Sequence, residues 1–109
     1  MNIICDKKET GTLLQVNGRM DAVTAPAFEK EFIQVMDAGE KMVVVDLADL
    51  EYISSAGLRS ILSSAKKAKK AGCTMQFCGL KGMVQEVFQV SGLGTMFTVT
   101  ATVEEAFGA

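Results

Sequence analysis

The chain has 109 residues, a formal net charge of −2 and no histidine. A chain of this length can bury a core without disulfides or metals, and we expect a single domain over residues 1–109. The absence of histidine excludes Ser-His-Asp hydrolysis, Cys-His chemistry and histidine-ligated metal sites. The small negative charge, the single tyrosine and the lack of tryptophan argue against nucleic-acid binding.

No apolar run approaches the roughly 18 residues that a membrane span needs, and the N-terminus lacks the apolar middle of a signal peptide. We therefore expect a soluble, cytoplasmic protein that does not contact a membrane. Cys5, Cys73 and Cys78 are an odd number of cysteines without C-x-x-C spacing. They predict buried thiols in a reducing compartment, with no disulfide, metal site or cofactor.

The first half of the chain predicts a hairpin, a helix and a buried strand. Residues 2–6 and 12–17 have the character of strands around a polar loop. Thr24 is typical of a helix N-cap, and Pro26 suits the first helical turn because its missing N–H costs nothing there. Residues 42–47 form an almost continuous β-branched run, which favours a central, parallel strand covered on both faces.

The second half alternates helices and strands. An amphipathic helix after residue 54 is followed by strand-like segments at residues 73–78 and 95–99, with a helix between them. Thr102 and Glu105 form a capping box at the start of a last short helix. The predicted order is β-β-α-β-α-β-α-β-α. It indicates an α/β fold with a largely parallel sheet and an antiparallel edge from the first hairpin.

Residues 52–58, Tyr-Ile-Ser-Ser-Ala-Gly-Leu, lead from the buried strand through a short loop, which includes residues 52–53, into the first turn of the second helix. A serine at a helix start can cap it, and the free N–H groups there also favour a phosphate. Ser54 and Ser55 are therefore either plain caps or a place for an anion. Gly57 costs about 1 kcal/mol against alanine inside a helix, which indicates a close approach to its backbone.

Four lysines, Lys66, Lys67, Lys69 and Lys70, crowd the last turns of this helix. Such a run could contact nucleic acid, but the helix dipole favours cations at a C-terminus, and we prefer that explanation.

Three blocks resemble a known family. They are residues 18–25, residues 45–47 with 52–58, and residues 88–93. With them the chain resembles a STAS domain of the anti-sigma factor antagonist type over nearly its whole length. The resemblance implies a mixed sheet of four or five strands packed with about four helices.

The resemblance also implies a role in bacterial partner switching. An unphosphorylated antagonist binds an anti-sigma factor, often a serine/threonine kinase, and frees a sigma factor. Phosphorylation of a serine at the start of the second helix ends the binding, and a PP2C-type phosphatase restores it. Matched to this chain, the acceptor is Ser55, with Ser54 as the alternative. The partner-binding residues are Asp21, Thr24, Ser54, Ser55, Ala56 and Gly57.

Several alternatives remain at this stage. Asp21 matches an acidic residue that lies beside the serine in the family, but it could equally form an Asx turn before Thr24. The domain could also be an unphosphorylated scaffold or accessory subunit of a stressosome-like or lipid-transport assembly. Catalysis by Ser55 is disfavoured because the chain lacks histidine and a Ser-x-x-Lys arrangement at residues 54 or 55. We expect a regulatory protein, not an enzyme, that is a monomer or weak dimer.

Overall fold

The structure, a computed structural model, describes residues 1–108. None of the helices within that range is both long and apolar enough to cross a bilayer. The elements in chain order are β1 (Asn2–Lys7), β2 (Thr12–Met20), α1 (Ala25–Asp37), β3 (Met42–Asp46), β4 (Leu50–Ile53), α2 (Ser55–Ala71), β5 (Thr74–Cys78), α3 (Gly82–Ser91), α4 (Leu93–Met96), β6 (Thr98–Thr100) and α5 (Val103–Gly108).

The main sheet has the strand order β1-β2-β3-β5-β6. β1 is antiparallel to β2, and the pairs β2–β3, β3–β5 and β5–β6 are parallel. β3 lies in the middle, and Val43, Val44 and Val45 are fully buried. The predicted α/β fold, its antiparallel edge and its central strand are therefore confirmed.

The sheet has one strand more than the sequence predicts. β4 pairs in parallel with the end of β2, beyond the point where β3 stops, with Arg19 opposite Tyr52 and Met20 opposite Ile53. The assignment of residues 52–53 to a loop was wrong, because this strand exists only through its pairing with a neighbour distant in sequence. The predicted strand at residues 95–99 was also misplaced, because α4 takes its first half and β6 begins at Thr98.

Helices cover both faces of the sheet. α1 to α4 contribute to one large core, which contains Phe28, Phe32, Phe77 and Phe88. α5 covers the other face through Ala106, which packs with Val44. Burial of a large apolar side chain stabilises a fold by about 1.5–3 kcal/mol, so the phenylalanines are major contributors.

Polar contacts hold α2 against α1. The Glu29 carboxylate accepts hydrogen bonds from Ser63 Oγ at 2.7 Å and Lys67 Nζ at 2.7 Å, and more weakly from Ser60 Oγ at 3.4 Å. These donors, led by Lys67, lower the pKa of Glu29. They fix the rotation of α2, which presents the serines at its start.

The predicted helix ends are mostly confirmed. Pro26 lies in the first turn of α1, and Thr24 is its N-cap by position, although the Thr24 side chain makes no capping bond. Glu105 N donates to Thr102 Oγ1, while the Glu105 carboxylate accepts from Ala101 N instead of the Thr102 N–H of an ideal capping box.

The cysteines differ in exposure. Cys73 and Cys78 are buried, but the prediction of a buried thiol is wrong for Cys5, which is exposed on the edge strand β1. Burial, with Asp46 nearby, raises the pKa of Cys78 to about 12.

We expect an alkylating reagent at neutral pH to modify Cys5 first and Cys78 only after unfolding, because the thiolate is the reactive form. Timed labelling followed by mass spectrometry measures the order. Equal labelling of Cys78 and Cys5 in the folded protein would contradict the structure.

Candidate functional site

The start of α2 is held by the two polar groups of Ser54. Its backbone is extended, and its Oγ accepts a hydrogen bond from Gly57 N at 3.2 Å. Its own N–H donates to Met20 O at 2.9 Å. Ser54 is therefore the N-cap of α2 and also links the helix to the end of β2.

Ser55 is the first residue of α2 and is exposed. Its Oγ makes no hydrogen bond within residues 1–108, and neither do the backbone N–H groups of Ser55 and Ala56. The positive end of the helix dipole lies at the same place. The arrangement presents a reachable hydroxyl next to N–H groups that can accommodate an anion.

Gly57 is buried in the first turn of α2. A Cβ atom at this position would lie 2.7 Å from Met20 O and 2.8 Å from Ile53 Cγ1. The predicted close approach is real, but the approaching chain is this protein's own β2. The space beside Gly57 is filled by this chain itself, which accounts for a glycine here without a partner; a partner contact at Gly57 stays a prediction.

Asp21 forms an Asx turn directly after β2. Its Oδ1 accepts from Val23 N at 3.0 Å and Thr24 N at 3.1 Å, and Thr24 Oγ1 lies at 3.2 Å. The N–H of Thr24 and then that of Val23 lower the pKa of Asp21, which keeps the carboxylate charged. Because Met20 O holds Ser54 N, the Asp21 loop and the start of α2 lie at one end of the sheet.

Other residues at this end of the sheet were not predicted. Val23 is 86% exposed at the tip of the Asp21 loop. The Arg19 guanidinium lies 4.2 Å from the centre of the Tyr52 ring, a cation–π contact that holds it over β4. The one available signal was Val23, an isolated large apolar side chain in a short connection between two elements.

Replacement of Ser54 by alanine is expected to lower the free energy of unfolding by about 1 kcal/mol, because the capping acceptor for Gly57 N is lost. Chemical denaturation measures the change. Ser55→Ala is the matched control and should stay within about 0.5 kcal/mol of the wild type. If the two variants are equally stable, Ser54 is not the cap.

Comparison with known proteins identifies the family of this chain. The family profile of the STAS domain matches residues 2–106. A candidate anti-sigma factor antagonist of Bordetella bronchiseptica, BtrV, is 37% identical over 109 residues, which are 100% of this chain and 94% of that protein. The anti-sigma-B factor antagonist of Bacillus subtilis is 27% identical over 106 residues and covers 95% of this chain and 96% of its own.

A solved structure agrees with the fold. The crystal structure of a candidate anti-sigma factor antagonist from Thermotoga maritima has a TM-score of 0.89 at 20% identity, and covers 97% of this chain and 92% of that one. The strand order and the helices described above are thus those of a recognised fold. The chain belongs to the STAS domain family, and the relatives it matches along nearly their whole length are named as anti-sigma factor antagonists.

Proposed function

We propose that this protein is an anti-sigma factor antagonist that acts by partner switching. Its unmodified form binds an anti-sigma factor that is also a serine/threonine kinase, and a sigma factor is released. Phosphorylation of Ser55 ends this binding, and a PP2C-type phosphatase restores it. The observation that carries the proposal is the exposed, unbonded hydroxyl of Ser55 at the start of α2.

Ser55 is a better acceptor than Ser54 for a geometric reason. Ser54 is only partly exposed, and its Oγ accepts the capping hydrogen bond from Gly57 N. A phosphate on Ser54 would disturb the cap that begins the helix. The Ser55 hydroxyl caps nothing, so it can enter a kinase active site without local unfolding.

A phosphate on Ser55 is compatible with the folded state. It adds a charge of about −1.5 to −2, next to the free N–H groups of Ser55 and Ala56 and the positive end of the helix dipole. Arg59 is exposed one turn further along α2, at a spacing where opposite charges attract. Phosphorylation would therefore leave the fold intact and act on the docking of a partner.

We call the exposed and partly exposed residues of the Asp21 loop and of the start of α2 the Ser55 surface. It consists of Asp21, Val23, Thr24, Ser55 and Ala56. Val23 offers an apolar contact, and the only carboxylate in the set belongs to Asp21. A partner that covers Ser55 would have to bury an added phosphate, whose desolvation costs several kcal/mol unless it is paired.

A phosphorylation assay tests the proposal. The protein is incubated with ATP and each candidate anti-sigma factor kinase of the source organism, and the modified residue is mapped by mass spectrometry. We expect modification of wild type and of Ser54→Ala, and none of Ser55→Ala. Modification of Ser55→Ala would place the acceptor elsewhere, and no modification by any of the kinases would favour an unphosphorylated scaffold.

A further inference from the structure

A second surface lies away from the Ser55 surface, toward the other end of α2. It is a groove of about 420 Å³ between the C-terminal half of α2, the start of β5 and the α4 segment. We call it the lysine groove. Its lining includes Leu62, Ala65, Lys66, Lys69, Met96 and Phe97, together with the buried Ala68, Cys73 and Met75. Ser55 and Lys69 are separated by 14 positions, or roughly 20 Å along the helix.

The rim of this groove carries positive charge that the chain does not neutralise. Lys67 pairs with Glu29, its Nζ 2.7 Å from Oε2. Lys66 and Lys69, which line the groove, and Lys70, the next residue along the chain, form no salt bridge within residues 1–108. This concentration of free cations occurs in a chain whose formal net charge is −2.

The helix dipole does not account for all of these lysines. It favours cations in the last turn, where Lys69 and Lys70 lie, and the benefit fades within that turn. Lys66 is a turn earlier and repels both of them, and Lys67 repels Lys70. Each like-charge pair at these spacings destabilises a helix by about 0.2–0.5 kcal/mol. The cluster is therefore poorly suited to helix stability alone, and an external anion would relieve the repulsion.

The floor of the groove is apolar and adaptable. Met96 is 63% exposed on α4, and Leu62, Ala65 and Phe97, which line the same groove, are partly exposed. A flexible methionine can repack around apolar side chains of different shapes, which is why it is frequent at binding surfaces. The combination of a lysine rim and an apolar floor matches a ligand that has negative charge and an apolar anchor together.

We infer that the lysine groove binds an acidic segment of a partner protein, anchored by one or two apolar side chains over Met96 and Phe97. A protein segment fits better than a nucleic acid, because the chain has no tryptophan and the groove offers only Phe97 for stacking. This site is independent of Ser55 and of its modification.

A synthetic peptide probes the site. It has about 15 residues, enough to form a helix on binding, with leucines on one face and glutamates on the others. In one matched peptide the leucines become serines, and in a second the glutamates become lysines. Changes of backbone amide chemical shifts in the full-length protein report where each peptide binds.

We expect the acidic, leucine-bearing peptide to shift amides of the lysine groove and to bind at least about tenfold more tightly than either matched peptide. The triple variant K66Q/K69Q/K70Q and the single variant Met96→Ser should each weaken the binding of this peptide about tenfold. The control K8Q/K30Q/K81Q removes the same charge from exposed lysines outside the groove and should leave the affinity within about twofold. Ser55→Asp should also leave it unchanged, so the outcome does not depend on the proposed switch.

Three results would overturn the inference. One is the absence of shift changes in the groove at millimolar peptide. Another is equal binding of the serine-containing peptide, which would reduce the site to unspecific charge attraction. The last is stronger binding at the groove by a single-stranded oligonucleotide or by vesicles of anionic phospholipid than by the peptide, which would assign the lysines to that class of partner.

Discussion

Phosphorylated protein is expected to bind its anti-sigma factor at least about a hundredfold more weakly than unmodified protein. A hundredfold loss corresponds to about 2.8 kcal/mol, and burial of an unpaired phosphate costs several kcal/mol. The Asp21 carboxylate, which its Asx turn keeps charged, follows directly after Met20, to which the start of α2 is bonded, and would add repulsion. Titration calorimetry with purified partner, at a stated ionic strength, measures the difference.

Variants of Ser55 separate the effect of added charge from the effect of a changed surface shape. Ser55→Ala should keep the wild-type affinity within about threefold, because it adds no charge and removes no hydrogen bond that shapes the surface within residues 1–108. Ser55→Asp should weaken binding less than phosphate does, since it adds only one charge. Ser91→Asp places the same charge on an exposed serine of α3 and should bind normally. Equal binding by Ser55→Asp and wild type would refute the mechanism.

Replacement of Gly57 by alanine is expected to lower the free energy of unfolding by about 2 kcal/mol. The new Cβ would lie 2.7 Å from Met20 O, a main-chain atom that cannot move without β2. Such overpacking costs roughly 3 kcal/mol at its upper range, and alanine's better helix propensity offsets about 1 kcal/mol of that. Denaturant unfolding with an unchanged slope measures the loss.

The control is Gly94→Ala. A Cβ at Gly94 would have its nearest neighbour, Phe88 O, at 4.0 Å, and its backbone is not in the left-handed region. That variant should unfold within about 0.5 kcal/mol of the wild type. A Gly57→Ala protein of normal stability that had lost only its partner would instead support the idea that a partner approaches this glycine.

The parts of the fold that could be predicted depend on local pattern. β3 was recognisable because three consecutive valines need cover on both faces, and the start of α2 because serine caps and helical spacing coincide. β4 was not recognisable, since only Leu50 and Ile53 of its four residues are buried and its partner is the tail of β2. Its existence depends on tertiary pairing, which a short sequence window does not contain.

The candidate site, too, could be predicted where it depends on a local motif and not where it depends on tertiary packing. The motif indicated Ser55 and the Asp21 loop, and it indicated that something approaches Gly57 closely. The motif could not identify the approaching group, because Gly57 of α2 meets Met20 of β2, a residue more than 30 positions earlier in the chain. The exposure of Cys5 was missed for a similar reason. An apolar run in an edge strand can have the same sequence as one in a central strand. Only the order of the strands in the sheet decides whether its side chains are exposed.

The extension of β2 beyond β3 has a consequence for the kinetics of recognition. Its last carbonyl, Met20 O, accepts a hydrogen bond from Ser54 N, so the Asp21 loop and the start of α2 are joined to the same strand end. A partner then meets a shape that exists before contact, and little conformational freedom is lost on docking. We therefore expect diffusion and charge to set the rate of association with the proposed partner, and not the closing of a loop. In the proposed mechanism, a phosphoryl group on Ser55 would shorten the lifetime of the complex, and its removal would restore that lifetime.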